Sequence, residues 1–292
     1  MPNGLINFSL LVQGIYWKRF LYTYHYTKNM VVIDFHTHIG TPFPALAAKY
    51  FGIEVGEVFT VEDLVKTLDK FKIDMAVTFP LLSLPGTDFV KGWMPLNEYV
   101  SKSQKKYPDR IIGFCWLNPK FVDKAIRDLK RCIRELGLKG VKLGPRYDGY
   151  FANDPRIDPF YEEVSKLKIP IIYHCGPTGV NSIVSICNVA DKFPELKIII
   201  GHMGVWWEQL TEAGWLLKKY ENVYLETSGS LSHIMIEKAV ELVGPERVMF
   251  GTDTPYIEYE LEKRRVEIAK LTDDEKRMIM GENACRLLGI KV

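Results

Sequence analysis

The chain has 292 residues, of which 47% are hydrophobic and 25% are charged, and 38 basic against 36 acidic side chains leave a net charge of +2. These proportions are those of an ordinary globular protein, so they exclude a disordered, collagen-like or coiled-coil chain. The balanced charge also lacks the strong basic excess of proteins that bind nucleic acid or an anionic membrane. Five cysteines without a CxxC pair predict reduced thiols and a cytoplasmic location.

Residues 1–29 differ from the rest of the chain, because they are apolar and aromatic with little acidic content. Their apolar run is too short to span a bilayer. They also lack the basic start and the small-residue cleavage site of a signal peptide. We therefore expect an N-terminal extension, which is an upstream misassigned start, a packing arm or an oligomer contact. A single domain over residues 30–292 follows it.

Eight short, nearly continuous apolar runs follow the extension, as is typical of buried parallel strands. They cover residues 31–36, 73–79, 111–117, 138–143, 169–174, 197–202, 222–227 and 246–251. Amphipathic helical patterns alternate with them. The first begins after an N-cap at Thr60, and another covers 121–137 and ends at Gly137. Further helical patterns cover 157–168, 179–193, 205–220 and 231–244, and closing helices are predicted within 272–290.

This alternation predicts an α/β protein with a (β/α)8 TIM-barrel fold. A doubly wound open sheet is the structural alternative, since alternation alone does not show that the sheet closes. Residues 80–96 are rich in proline and glycine. We predict that they form a loop over the active face of the barrel.

Polar residues end several of the predicted strands. His36 and His38 alternate with Asp34 near the end of the first strand, so a period of two places the three on one face. His174 closes the fifth strand, His202 the sixth and Asp253 the eighth. A lone HxH pair more often reflects polar residues at a strand end than a metal site. Barrel enzymes, however, keep their catalytic groups at these strand ends, so the whole set predicts a metal-dependent active site.

The motifs DFHTHIG, YHCG, IIGHMG and FGTDTP resemble those of the amidohydrolase superfamily. Within it, the chain is similar to the amidohydrolase-related family, which contains aminocarboxymuconate-semialdehyde decarboxylase, resorcylate-type decarboxylases and assorted hydrolases. The resemblance extends from about Met30 to the end of the chain. It indicates the superfamily strongly and the reaction poorly, because decarboxylases, hydrolases and hydratases share these motifs.

The resemblance implies that a divalent metal, usually zinc, is bound by His36, His38, His174 and Asp253. Three nitrogens and one carboxylate oxygen also suit Zn²⁺ on chemical grounds, with a position left for water. A bound metal lowers the pKa of such a water toward ~7. Asp253 would also accept a proton from the water, and His202 would be a second catalytic group, a base or a donor, rather than a ligand.

Three further residues are candidate substrate contacts. Lys142, on the fourth strand, either contacts the substrate, reaches the barrel mouth as a solvated lysine, or is carboxylated and bridges a second metal, as in some branches of the superfamily. Arg146 could hold a substrate carboxylate through two hydrogen bonds, although a surface role fits equally well. Trp206 could line an aromatic pocket or pack in the core. Glu226 and Ser228 are candidates for supporting contacts.

We predict a metal-dependent hydrolase that acts on an amide, ester or lactone of a small molecule, because such a site is built to activate water. The alternative is a nonoxidative decarboxylase of the aminocarboxymuconate-semialdehyde or resorcylate type, and a minor alternative is a barrel that binds a ligand without catalysis. The metal ligands cannot decide between the reactions, and the deciding contacts fall in loops such as 40–59 and 80–96. Expected partners are a small-molecule substrate and a second copy in a homodimer, but neither nucleic acid nor a membrane.

Overall fold

The computed structural model describes residues 30–40, 59–81, 93–176 and 179–291. Within these ranges lie eight parallel strands whose spatial order follows the chain order. They are β1 (Ile33–Ile39), β2 (Met75–Pro80), β3 (Ile111–Trp116), β4 (Gly140–Leu143), β5 (Ile171–Tyr173), β6 (Ile198–Ile200), β7 (Val223–Glu226) and β8 (Val248–Met249). Each of the eight strands overlaps a predicted apolar run, although β1 continues three residues beyond its run, to Ile39.

Backbone hydrogen bonds join the last strand segment to the first and complete the barrel. The amide of Phe35 donates to the carbonyl of Phe250 at 2.8 Å, and the amide of His38 donates to the carbonyl of Thr254 at 2.7 Å. In a doubly wound sheet the strand order reverses at a switch point and the outer strands stay apart. The predicted TIM barrel is therefore confirmed over the open-sheet alternative.

Helices follow the strands in alternation. They are α1 (Val61–Phe71), α2 (Met94–Lys106), α3 (Val122–Arg134), α4 (Pro145–Asp148), α5 (Asp158–Leu167), α6 (Ile183–Lys192), α7 (Trp207–Glu212), α8 (Gly214–Lys219), α9 (His233–Val243), α10 (Tyr259–Ile268), α11 (Asp273–Arg277) and α12 (Asn283–Leu288). Thr60 caps α1 through a capping box with Asp63, as predicted. The single helix predicted over 205–220 is instead two, α7 and α8, which meet beside Gly214. A β-carbon there would lie 2.8 Å from Leu242 of α9, so the glycine that permits this close packing also weakens the helix.

The apolar core lies in two layers that leave one end of the barrel free for polar groups. Inside the barrel, alternate side chains of β1, β2 and β3 pack with each other and with α12: Ile33, Phe35, Val77, Phe79, Ile112, Phe114 and Leu287. A larger layer lies between the barrel and its helices. Because these apolar side chains fill the inside of the barrel, the polar side chains at the carboxyl ends of the strands meet above them.

The predicted closing helices pack against the start of the barrel. Between α11 and α12 the chain forms a π-helical turn, Met278–Glu282. A β-carbon on its Gly281 would lie 2.2 Å from the Val31 carbonyl oxygen, so only glycine allows this approach.

All five cysteines are buried and free of disulfide bonds, in agreement with the prediction of reduced thiols. Among the described residues, every helix is too short or too polar to cross a membrane. The extension 1–29, nearly all of loop 40–59 and residues 82–92 lie outside the described part. The predicted loop 80–96 is shorter than expected at its far end, because α2 already begins at Met94.

Candidate metal centre

The five residues predicted to carry the chemistry converge at the carboxyl ends of the strands. His36 and His38 lie on β1, and His174 directly follows β5. His202 lies in the 3₁₀ turn after β6, and Asp253 lies in the loop after β8. The imidazoles of His36, His38 and His202 are buried. The structure thus brings together the whole predicted set, which is separated by more than 200 positions in the chain.

His36 is oriented by a carboxylate behind it. Its Nδ1 lies 2.6 Å from Oε2 of Glu226, and because a carboxylate accepts, Nδ1 carries the hydrogen. Burial opposes ionisation of Glu226, but the charge and the hydrogen bond of His36 lower the pKa of that carboxyl to about 2. A β-carbon on Gly251 would lie 2.1 Å from Oε1 of Glu226, so a glycine makes room for the carboxylate. With Nδ1 occupied, Nε2 is the nitrogen of His36 that faces the site. Although burial and Lys142 oppose it, the carboxylates of Glu226 and Asp253 raise the pKa of His36, so a metal ion at Nε2 would take the place of a proton.

His38 is fixed in the same tautomer by a backbone carbonyl. Its Nδ1 lies 3.0 Å from the carbonyl oxygen of Pro80, which only accepts, so this nitrogen also carries the hydrogen. Burial lowers the pKa of His38 and favours the neutral ring. Its Nε2 therefore presents a lone pair to the site.

Nε2 of both rings faces the same carboxylate oxygen. Oδ1 of Asp253 lies 3.1 Å from Nε2 of His36 and 3.0 Å from Nε2 of His38. Three potential ligand atoms thus share a small space, and a cation between them would remove the repulsion between the carboxylate oxygen and the lone pair of His38. Two imidazole nitrogens with a carboxylate oxygen are a donor set for a divalent transition metal, so the residues fit the metal that the sequence predicts.

His202 lies closer to this group than the sequence suggested. Together with His36 and Asp253 it offers three ligand atoms that all lie within 4.8 Å of one another. Its Nδ1 lies 2.9 Å from the hydroxyl and 3.3 Å from the carbonyl oxygen of Ser228, so Nδ1 carries the hydrogen. Burial lowers the pKa of His202 to about 4, which favours the neutral ring. Its Nε2 thus carries the lone pair, which either accepts a hydrogen bond, binds a metal or takes a proton.

His174 contacts the cluster of His36, His38 and Asp253 only indirectly, by way of His202. Its Nδ1 lies 3.1 Å from Nε2 of His202, and its Nε2 lies 3.3 Å from the hydroxyl of Tyr147. Burial lowers the pKa of His174 well below its usual value. Which of these two imidazoles binds the metal directly stays a prediction, with His174 as the expected ligand and His202 as the expected acid or base.

Left-handed backbone conformations place two of these side chains. His202 has φ of 61° and Asp253 has φ of 61°, and Met203 next to His202 has φ of 48°. Such values are uncommon outside glycine and cluster at functional sites, where the surrounding structure holds them. At Asp253 the restraint is a hydrogen bond of 2.7 Å from its amide to the carbonyl of His36. No periodicity in the sequence indicates these conformations.

Asp34 does not join the histidines, contrary to the period-two expectation. Its carboxylate accepts from the hydroxyl of Thr252 at 2.6 Å and from the amide of His36 at 3.0 Å. The pairing of β1 with β2 shifts register between Asp34 and Thr37. A bulge of this kind changes which residues face inward, so the alternation inferred from the sequence breaks between Asp34 and His36.

Lys142 lies inside the barrel beside His36. Its side chain is 1% exposed, and its Nζ lies 3.1 Å from Nε2 of His36 and 4.6 Å from the ring centre of Phe79. Burial lowers the pKa of the amine to about 8, while the charges of Asp253 and Glu226 oppose that change. The amine is thus a buried cation within the site rather than a solvated group at its rim.

The other two predicted substrate contacts are less well placed. Arg146 is exposed on α4, and Trp206 is 45% exposed before α7. The next residue on α4, Tyr147, is the one that contacts His174, and burial raises its pKa to about 12. Successive helical residues point in different directions, so a one-turn helix after β4 selects Tyr147 over Arg146. The sequence did not single out Tyr147, whose only signal was its position after the lysine-bearing strand.

Comparisons with known proteins identify relatives of the chain. The family model described as Amidohydrolase matches residues 33–290. Gamma-resorcylate decarboxylase of Polaromonas sp. is 28% identical, over 65% of this chain and 74% of that protein. The 2-amino-3-carboxymuconate-6-semialdehyde decarboxylase of Dictyostelium discoideum is 24% identical, over 67% of this chain and 66% of that protein.

A solved structure shares the fold. It is a dihydroxybenzoic acid decarboxylase from Polaromonas sp. JS666 with bound manganese and the inhibitor 2-nitroresorcinol. Its TM-score is 0.70 at 19% identity, over 90% of this chain and 98% of that one.

The relatives correct one expectation from the sequence. Hydrolysis of an amide, ester or lactone was the predicted reaction, and that prediction is wrong, because the relatives described above are decarboxylases. The error has a chemical cause. The same imidazole and carboxylate ligands serve hydrolysis and decarboxylation, so the motifs that indicate the metal carry no information about the bond that is broken.

Proposed function

Because the chain belongs to the amidohydrolase family, we propose that it is a metal-dependent, nonoxidative decarboxylase of a small aromatic or conjugated carboxylate. Its decarboxylase relatives support the reaction, and their names suggest the substrate class, a hydroxybenzoate or a muconate semialdehyde. The observation that carries the proposal is the convergence of His36 Nε2 and His38 Nε2 on Asp253 Oδ1 with a buried amine beside them. This arrangement provides a metal position next to a cation that can hold a carboxylate.

The donor set favours one divalent metal. We propose zinc, held by His36, His38, His174 and Asp253, because nitrogen-rich sites with one carboxylate suit it. Manganese, present in the structural neighbour, is the competing occupant. When bound, the ion supplies positive charge for orienting an oxygen-rich substrate and for stabilising negative charge during the reaction. A second metal on carboxylated Lys142 is not favoured, since the free amine already contacts His36.

The chain's own residues have separate tasks in the reaction. Nonoxidative decarboxylation breaks one carbon–carbon bond, releases CO₂ and places a proton on the same carbon. Asp253 is the group we assign to proton transfer: as a carboxylate it first takes a proton from solvent, to which its side chain is 17% exposed whereas those of His36 and His38 are 1% and 2% exposed, and it becomes a carboxylate again when it passes that proton to the carbon. His202 then exchanges protons as the neighbouring acid or base. Lys142 holds the substrate's anionic oxygens through its charge.

The reaction is tested by supplying candidate carboxylates to the metal-loaded protein. With 2,6-dihydroxybenzoate, 5-carboxyvanillate and aminocarboxymuconate semialdehyde, we expect CO₂ release from at least one substrate. In D₂O the product should carry one deuterium at the carbon that lost CO₂. Chelation should abolish turnover and readdition of zinc or manganese should restore it. Turnover that persists after complete metal removal, or hydrolysis products in place of CO₂, would contradict the proposal.

Two further proposals concern the protein's surroundings. A cytoplasmic location is supported by the five buried cysteines without disulfide partners. A homodimer is proposed on the resemblance to the family, and light scattering on chains that begin at Met1 and at Met30 tests it. Fractionation of cells tests the location.

A further inference from the structure

A cavity lies at the end of the barrel opposite the metal centre. It has a volume of about 440 Å³. Met75 and Ile111 open β2 and β3, and Pro170 immediately precedes β5, so these lining residues belong to the amino ends of the strands. Leu288 and Ile290, at and just after the end of α12, complete its apolar wall. The volume falls within the range of small-molecule sites.

The rim of the cavity is positively charged. Lys105, Lys139 and Lys168 line it, and among the described residues neither an acidic nor an aromatic side chain does. In the part of the chain that the structure describes, none of these three amines forms an ion pair. The one polar neutral residue, Gln104, is already satisfied, because its amide donates to the carbonyl of Gly137 and accepts from the amide of Gly113. A ligand would therefore meet aliphatic walls and unpaired cations.

Two other cavities of similar size show that this charge pattern is unusual for the molecule. One is lined by Glu162 and Glu195 as well as by lysines, among them Lys168, which lies between the two cavities. The other is lined by Asp191, Glu195 and Glu221 as well as by lysines. Lysines at the surface of this protein thus generally occur beside acids, as expected for a net charge of +2. The cavity below the barrel is the exception among the three.

Proximity to a helix end explains the positions of two of the three lysines at the rim. Lys105 lies in the last turn of α2, and Lys168 follows the last residue of α5. A cation at the carboxyl end of a helix is favourable without any ligand. Lys139 has no such explanation, because it lies just before β4 and not at a helix end, with its backbone amide donating to the carbonyl of Gly113. Replacing Lys139 therefore tests whether the lysines form a ligand site or only stabilise helix ends.

We propose that this cavity binds a medium-chain aliphatic carboxylate, with its hydrocarbon chain against the aliphatic wall and its carboxylate between Lys139 and Lys168. Each methylene that is buried against the aliphatic wall strengthens binding, so affinity should rise with chain length until the wall is covered. Exposed ammonium groups add charge recognition that salt weakens. The site is separate from the metal centre and does not depend on the proposed decarboxylation.

Calorimetric titration of the full chain with decanoate tests the proposal. We expect saturable binding with one site per chain, and at least tenfold weaker binding of decanol, which lacks the charge. Lys139→Met with Lys168→Met should weaken decanoate binding at least tenfold, and Lys139→Met alone should account for a large share of this loss. The matched control is Lys166→Met, an exposed lysine on α5 that does not line this cavity; it should bind as the wild type does.

Several outcomes would overturn the proposal. The first is no saturable binding at about 1 mM decanoate, the weak limit of a specific site. The second is equal affinity in the double variant, which would place decanoate elsewhere, such as at the metal centre. The third is lysine-dependent binding of 2,6-dihydroxybenzoate that is tighter than that of decanoate, which would assign the cavity to aromatic carboxylates. Thermal unfolding of each variant verifies that it is folded.

Discussion

Nε2 of His38 and Oδ1 of Asp253 lie 3.0 Å apart. Neither atom has a hydrogen to donate, because the single ring hydrogen of neutral His38 is on Nδ1, which faces the Pro80 carbonyl. Such a contact between two acceptors is unfavourable in a buried site unless a cation lies between them. The first prediction follows from this pair.

Asp253→Asn should separate metal binding from folding. The amide of asparagine can donate to Nε2 of His38, but the variant loses the negative charge that Asp253 places beside the buried amine of Lys142. The two effects oppose each other, so the metal-free variant should fold with a Tm close to that of the metal-free wild type. The same variant should lose at least 10²-fold in turnover because the carboxylate is gone. Calorimetry on chelated protein, with turnover measured on metal-loaded protein, tests both statements. Full activity in the variant would exclude Asp253 as the proton carrier.

Metal analysis of two histidine variants should distinguish a ligand from an acid or base. His174→Asn should sharply lower the bound metal, because it removes an expected ligand. His202→Asn should keep about one metal per chain and slow turnover by roughly 10²–10⁴. The reverse result, in which His202→Asn loses the metal and His174→Asn retains it, would favour the compact set His36, His202 and Asp253.

Glu226 should raise the affinity for the metal through its hydrogen bond to His36. Glu226→Gln keeps one oxygen that accepts from Nδ1 but removes the charge, so metal affinity should fall about 10–100-fold. Its Tm should fall as well, because both carboxylate oxygens accept from backbone amides, those of Ser228 and His202. Gly251→Ala displaces the same carboxylate by steric conflict and should lower both metal affinity and Tm. Competition with a chelator of known affinity measures the first quantity, and thermal unfolding measures the second. Unchanged metal affinity in Glu226→Gln would show that the carboxylate only fills space.

Lys142→Met should distinguish a substrate contact from a metal bridge. Methionine has a similar length and no charge, so about one metal per chain should remain while KM for the carboxylate substrate rises about tenfold. The metal-free variant should also be at least as stable as the wild type, because a buried amine is removed. A wild type with two metals per chain, reduced to one or none in the variant, would instead show that Lys142 is carboxylated.

Asp148 should make stability depend on pH. It accepts a hydrogen bond of 3.2 Å from Nε1 of Trp116, yet burial raises the pKa of its carboxyl to about 7 from a usual 3.8. The folded state therefore holds a proton that the unfolded state releases, and stability falls as pH rises from about 4 to about 7. Solvent screening at this half-buried position limits the loss to about 1–2 kcal/mol.

Replacement of Asp148 should remove this loss. The Asp148→Asn variant should gain in Tm relative to the wild type as the pH rises, and the difference between the two should increase by about 4 °C from pH 5 to pH 8. The exposed Asp109→Asn serves as the control and should show no such growth. A constant difference across this range would mean that Asp148 is ionised throughout.

The sequence by itself determined the alternation of strands and helices and the place of the active site, whereas the hydrogen bonds between the last and the first strand segments decided that the sheet closes into a barrel. Short β-branched runs such as 198–200 can be buried on both faces only as central parallel strands, and alternating helices supply the crossovers that such strands need. Once eight such units are present, every strand ends on the same side. His174, His202 and Asp253 could therefore be placed together before any distance was known.

The tertiary structure alone decided how these residues face one another. The bulge that turns Asp34 away from His36, the left-handed backbone at Asp253 and the choice of Tyr147 over Arg146 arise from contacts between segments far apart in the chain. Likewise, Glu226 and Pro80 select the ring nitrogen that each histidine of β1 presents. The local sequence pattern predicts which residues end strands, because the end of a strand depends on its neighbours in the sequence. It does not report tautomers, charge pairing or rotation about a strand, because these depend on the atoms that the fold brings within about 3 Å.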